Sequence, residues 1–178
     1  YSIYIGLTVG ETLCLRLAGM PWFDSVIHAF TTISTGGFSV KNASIAAYGS
    51  IVIEWIIIIF MFLSGINFAL LFYALRRDYQ AVFQSEELRS YTLMTVIASA
   101  LIAMNLIVHA GIAASFQTVT DSVFQVVTLM TTTGYMTRDY VLWPTFSQAV
   151  LILVMFAGGC AGSTAGGIKQ IRFVLLCK

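Results

Sequence analysis

Charged side chains are scarce in this sequence. Asp, Glu, Lys and Arg supply 10% of the 178 residues, 58% are hydrophobic, and the mean hydropathy is +0.89. An average soluble domain is about one quarter charged, so this chain lacks the polar surface to coat a globule in water. Folded in solution it would expose apolar patches and aggregate. A net charge of +1 leaves no basic patch to neutralise phosphates, which excludes a nucleic-acid partner. Cysteine is sparse as well. Cys14, Cys160 and Cys177 stand in apolar or glycine-rich surroundings without CxxC or Cys/His spacing, which argues for small packed hydrophobes and against a metal site. No Ser/His/Asp arrangement, HExxH, P-loop or pair of intramembrane carboxylates occurs, so hydrolysis and group transfer find no support. None of these 178 residues reads as a signal peptide. The chain opens on Tyr1 without a methionine and closes at Lys178, and an internal segment of a longer polytopic protein is the expectation.

What the sequence does have is long apolar runs. Residues 1–18, interrupted by Glu11 and Arg16, read as the outer end of a shortened membrane helix. Residues 51–75 have the ~20-residue length that crosses a ~30 Å hydrocarbon core, and within them Ile56 to Leu63 is unbroken by any polar residue. Residues 91–113 form the next span, and another starts at Pro144 and reaches Phe156. The polar connection 76–90 holds Arg76, Arg77 and Arg89 and is assigned to the cytoplasm by the positive-inside rule. The segments near Lys41 and Arg138 then face outward, and Lys169, Arg172 and Lys178 return inside.

An internal repeat organises these runs. A shift of 97 positions lays Asp24-Ser25-Val26 on Asp121-Ser122-Val123, Thr31 on Thr128, Thr35 on Thr132, Gly37 on Gly134, Phe38 on Tyr135 and Lys41 on Arg138. The matched residues are mostly polar or glycine, which chance alignment of apolar runs does not produce. Repeats of this kind build pores about a pseudo-symmetry axis.

Each copy holds a segment too short to cross a membrane. Asp24 is expected to cap a helix ending near Ile33, and Asp121 one ending near Met130. Ten helical residues reach only about 15 Å. The runs that follow are Ser34-Thr35-Gly36-Gly37-Phe38 and Thr131-Thr132-Thr133-Gly134-Tyr135. Irregular backbone survives at membrane depth only inside protein or beside a watery cavity, so each copy reads as a re-entrant helix and loop. Glycine lets successive carbonyls face one side, and a ring of carbonyls replaces the water around a dehydrated cation, as in the TVGYG loops of potassium channels. Here Thr133 stands in place of the valine and Met136 in place of the second glycine, which predicts fewer ordered ion sites.

These loops, with Glu11-Thr12-Leu13, Ala18-Gly19-Met20, Phe23-Asp24, Ser64-Gly65-Ile66-Asn67 and above all Gly158 to Lys169, are similar to the Trk/Ktr/HKT superfamily of potassium transporters, its bacterial Trk branch most closely. The resemblance covers the whole chain. It implies an all-α polytopic membrane protein of helix–pore loop–helix repeats with re-entrant filter loops, four in the family and two here. The expected division is a second-type repeat over 1–75 (filter segment 24–38, second helix 51–75), a cytoplasmic loop over 76–90, and a third-type repeat over 91–178. In the last, the first helix covers 91–113, the filter segment 121–135, and the second helix 144–177 is broken at 158–167.

The resemblance further implies potassium as the transported substrate, with no cofactor in this chain. Filter positions would be Thr35, Gly36, Gly37, Thr132, Thr133 and Gly134. An intramembrane gate would be formed by Gly158, Gly159, Gly162, Ser163, Thr164, Gly166 and Gly167. It implies residence in the bacterial inner (plasma) membrane as a multi-pass protein in the lipid bilayer, a homodimer, and a cytosolic nucleotide-binding regulatory subunit. Two other classes stay open: a non-conducting membrane scaffold whose Gly-rich loops serve packing, and a polytopic enzyme with its catalytic groups elsewhere. Glu54 reads as interfacial, Asn67 as a helix–helix hydrogen-bonding group, His28 and His109 as packed polar residues, and Lys169 and Arg172 as anchors.

Overall fold

A computed structural model describes residues 1–109 and 115–176. Helices α1 (Ser2–Leu17), α2 (Trp22–Ile33) and α3 (Ile51–Ser64) form the first copy. After the short α4 (Phe68–Leu75) and α5 (Tyr79–Phe83), helices α6 (Glu86–His109), α7 (Phe116–Met130) and α8 (Thr145–Phe156) form the second, followed by α9 (Gln170–Leu176). Two 3₁₀ turns, Ser44–Tyr48 and Tyr140–Leu142, lie between the short helices and the spans. Among the described residues the only strand-like pairing is one isolated bridge, Ala157 with Ile168.

Local chemistry sets the boundaries. α1 stops where Gly19 takes φ 97°, with the Met20 N–H on the Leu15 carbonyl and the Gly19 N–H on the Arg16 carbonyl, the double bond pattern of a Schellman end. α7 starts at Ser115, whose hydroxyl accepts from the Thr118 N–H. α2 starts behind Pro21, whose missing N–H would be unpaired at a helix start in any case. α6, with 24 residues, is about 36 Å long, enough to cross a bilayer, whereas α2 and α7, at 12 and 15 residues, reach about 18 and 22 Å and are too short to do so.

Three expectations are corrected. The 51–75 run is not one helix: α3 and α4 meet at 104° across residues 65–67. Asp24 and Asp121 are not caps, because their helices begin at Trp22 and Phe116. Asp24 sits in the first turn and accepts from the Tyr48 hydroxyl at 2.7 Å, while Asp121 lies mid-helix and pairs with Arg138 at 3.2 Å. The first helix of the second copy starts at Glu86, inside the stretch 76–90 assigned to a loop; its expected end at 110–113 lies outside the described residues, as do Cys177 and Lys178.

α7 is the wedge of the assembly. Phe124 and Val127 pack with Leu15, Ile53, Ile57 and Met61 of the first copy, while Val126 and Met130 pack with Tyr91, Ile102, Leu151 and Val154 of the second. Polar residues of α7 are buried as well, among them Thr120, Asp121, Ser122 and Gln125. Lipid tails are as apolar as the side chains they would replace, so no hydrophobic force drives helices together in a bilayer, and association there leans on close packing and interhelical bonds of about 0.6–1.7 kcal/mol each. Trp55 donates to Thr120, Gln117 to Glu54, and Ser147 to Asn105. Glu54 is buried, with Gln117 of α7 as its partner.

Candidate functional site: paired threonine–glycine loops and a glycine-rich segment

The C-termini of α2 and α7 unwind in the same way, atom for atom. The Gly36 and Gly37 N–H groups both donate to the Thr31 carbonyl at 2.8 and 3.2 Å. Their counterparts, Thr133 and Gly134, both donate to the Thr128 carbonyl at 2.9 and 3.3 Å. Thr35 and Thr132 carry φ 54° and 57°, and Gly37 and Gly134 carry 66° and 86°. A left-handed threonine is unusual, because its β-branch crowds the backbone, so its recurrence at matched positions marks a built feature. Among the described residues, no protein donor reaches the carbonyl oxygens of 35–37 or 132–134. Six carbonyls in two matched loops are thus left to other partners.

The two loops touch. A Cβ on Gly37 would overlap the Thr133 carbonyl oxygen, so glycine is needed there for space as well as for its backbone angle. Tyr135 ties the copies together behind the loops. Fully buried, its hydroxyl lies 2.6 Å from the Thr31 hydroxyl and donates to the His28 carbonyl at 3.3 Å. Its counterpart Phe38 is 74% exposed, so this brace exists on one side only. His28 is buried with Nδ1 at 2.7 Å from the Asp24 carbonyl and Nε2 at 3.0 Å from the Ser39 hydroxyl. A carbonyl only accepts, which fixes the proton on Nδ1 and makes Ser39 the donor to the neutral ring. In the outer turn, burial and then the Asp24 carboxylate raise the Tyr48 hydroxyl above its ordinary range, keeping it a donor.

Residues 158–167 form a folded segment closed at its neck by the Gly158 N–H on the Ile168 carbonyl (3.0 Å) and the Ile168 N–H on the Phe156 carbonyl (3.1 Å). Its socket is the break between α3 and α4. Cys160 and Thr164 donate their N–H groups to the Gly65 and Ser64 carbonyls at 2.9 and 3.3 Å, and Phe68 N–H donates to the Gly162 carbonyl at 3.2 Å. Bending the helix frees those groups, and the segment satisfies them. Asn67 caps α4 through the Ala69 N–H at 2.9 Å, a role the sequence reading as a helix–helix bonding group did not foresee. Glu87 clamps the segment from α6, accepting from the Ala161 N–H at 2.6 Å and the Ile171 N–H at 3.3 Å. Lys169 turns back to donate to the Ala165 carbonyl.

Segment and loops are in direct contact. Thr35 Oγ1 donates to the Thr164 carbonyl at 2.9 Å, the Gly166 N–H donates to Thr132 Oγ1 at 2.8 Å, and Thr164 Oγ1 donates to the Ile33 carbonyl at 2.8 Å. The structure therefore brings together the residues singled out in both loops and in the glycine-rich segment. Gly65 and Glu87 were not singled out as site residues. A glycine inside an apolar run, followed by an asparagine, was the available signal for the first; an acid in a polar connection gave none for the second. Among the described residues, no cluster of three His, Cys, Asp or Glu side chains could hold a metal.

The profile of the TrkH family, described as cation transport proteins, matches residues 2–178. The Trk system potassium uptake protein TrkH of Salmonella typhimurium is 39% identical over 179 residues, covering 100% of this chain and 37% of the relative. The Trk system potassium uptake protein TrkG of Escherichia coli is 35% identical over 176 residues, covering 98% of this chain and 36% of the relative. The crystal structure of the potassium transporter TrkH from Vibrio parahaemolyticus matches with a TM-score of 0.93 at 34% identity, over 99% of this chain and 38% of that one. The chain spans a little over a third of the length of the curated relatives it matches.

Proposed function

This chain belongs to the TrkH family of cation transport proteins, and we propose that it supplies two of the four pore-loop repeats of a potassium transporter. It is an all-α membrane protein of the pore-loop repeat kind. Potassium is the cargo, and its relatives are transporters, not enzymes, so no covalent step is assigned. Thr35, Gly36, Gly37, Thr132, Thr133 and Gly134 present carbonyls that replace water around the ion, and two further loops complete the ring. The helix C-termini behind them add partial negative charge facing the cation. Residues 158–167, with Gly158, Gly159, Gly162, Ser163, Thr164, Gly166 and Gly167, act as the gate that obstructs the path.

We place the protein in the bacterial inner membrane, with 76–90 and the 169–178 end in the cytoplasm, as a homodimer under a nucleotide-binding regulatory subunit. The observation that carries the reading is the matched pair of unwound helix ends with left-handed threonines and unengaged carbonyls. Rubidium uptake by bacteria lacking their own potassium uptake, expressing the full-length transporter or its Gly134→Asp variant at equal membrane abundance, tests it. Uptake that collapses in the variant supports an ion path through the second loop. No uptake by either, with the regulator supplied, removes the transport reading.

A further inference from the structure

We propose that Thr35 and Thr132 form a two-point latch that holds segment 158–167 closed, so that the segment cannot withdraw without releasing both filter loops at once. The inference rests on the ion-path reading and goes beyond it by naming the atoms that couple filter and gate. The two threonines are related by the repeat, share the left-handed conformation, and sit at the same end of their loops. They engage backbone groups only two residues apart in the segment, the Thr164 carbonyl and the Gly166 N–H. One short stretch therefore bridges both copies.

The two points share one local bond and differ in the other. Each hydroxyl reaches the carbonyl of the preceding residue at 2.7 Å, Ser34 for Thr35 and Thr131 for Thr132; Thr35 shares its proton between that carbonyl and Thr164 at 2.9 Å, whereas Thr132 accepts from the Gly166 N–H. Glycine at 166 is what permits the approach, since a Cβ there would sit 2.8 Å from Thr132 Oγ1. The same hydroxyls restrain residues whose backbone is strained. When the segment leaves, each threonine loses a partner and the loops lose a restraint against relaxing. Gate position thereby feeds into filter geometry, and filter geometry into the ease of opening.

The test uses the full-length transporter in proteoliposomes with Cys160 as its sole cysteine. That thiol is buried inside the segment and reacts with maleimide only when the segment moves. Thr35→Val and Thr132→Val keep the branched shape and remove the hydroxyl. Each is expected to speed alkylation about fivefold, and the pair about 25-fold, with rubidium flux in the absence of the regulator rising in step. Thr35→Ser and Thr132→Ser restore the wild-type rate. A second reporter, Leu15→Cys in a Cys160→Ser background, lies buried in α1 within the other core cluster, which holds no residue of the segment, and stays unreactive. An unchanged Cys160 rate in the double valine variant overturns the latch. So does a rise that serine fails to reverse, or one shared by Leu15→Cys. Wild-type protein that carries no rubidium at all refutes the transport reading instead, and the alkylation rates still decide the latch.

Discussion

The two repeat-related glycines, Gly37 and Gly134, are expected to respond unequally to the same substitution. Both hold positive φ, 66° and 86°, so Ala at either site incurs about 1–2 kcal/mol for the left-handed backbone. Gly134 faces open space, with nothing within 4 Å of an added Cβ, and the strain is the whole effect. At Gly37 the methyl meets the Thr133 carbonyl, a backbone atom of the facing loop that cannot swing aside as a flexible side chain would. Overpacking adds about 1–3 kcal/mol, for a total of about 2–5 kcal/mol. Thermal unfolding of the purified protein in detergent, followed by tryptophan fluorescence, ranks the two. Gly134→Ala melts slightly below wild type and Gly37→Ala well below it. Rubidium uptake by Gly37→Ala is reduced more than by Gly134→Ala, because the clash shifts both loops. Equal losses at the two sites would refute the close approach of Gly37 to Thr133.

Four further outcomes follow from the contacts. Gly65→Ala drives a methyl into the Tyr91 hydroxyl and to 3.0 Å from the Thr131 methyl; a loss of about 1–3 kcal/mol and faster maleimide labelling of Cys160 are expected. Glu87→Ala removes the acceptor for two N–H groups, and hydrogen exchange at Ala161 and Ile171 accelerates at least tenfold, while Glu87→Gln, which keeps a carbonyl oxygen, shows a smaller rise. Arg138→Ala breaks an ion pair whose cation is 60% exposed, so the stability change stays below about 1 kcal/mol and a larger one would reveal a role beyond the pair. Tyr48 has a folded pKa raised above its unfolded value near 10. Its contribution is complete below that pH and fades as pH rises further, so Tyr48→Phe should flatten the loss of stability in alkaline titration.

The sequence made the duplication legible because threonine, glycine and aspartate recur at one spacing, and the backbone angles recur at the same positions. The membrane setting was legible from the shortage of charge alone. The bend between α3 and α4 was not. Residues 51–75 are apolar almost throughout, and the groups that stabilise the break, Cys160 N–H and Thr164 N–H, lie about a hundred positions downstream. The start of α7 was misplaced because Asp121 aligns with Asp24 and aspartate favours helix starts; Ser115 does the capping instead. Tyr135 and Phe38 look interchangeable in the alignment, yet only the tyrosine hydroxyl reaches across to the first copy.

The socket between α3 and α4 also bears on how the chain is made. At roughly 5–20 residues per second, residue 160 leaves the ribosome about 5–20 s after residue 65. Through that interval the Ser64 and Gly65 carbonyls have no Thr164 or Cys160 to satisfy them, and a bare carbonyl in hydrocarbon costs several kcal/mol. A straight helix over 51–75 would leave far fewer groups bare. Nascent chains stalled before residue 158 should therefore hold this stretch as one full crossing, and a glycosylation site placed after residue 75 would report which side its end has reached. A stalled chain already bent would overturn that order of events. On this account the 104° bend is among the last shapes the polypeptide acquires, impressed on an inserted helix by a piece of chain that arrives afterwards.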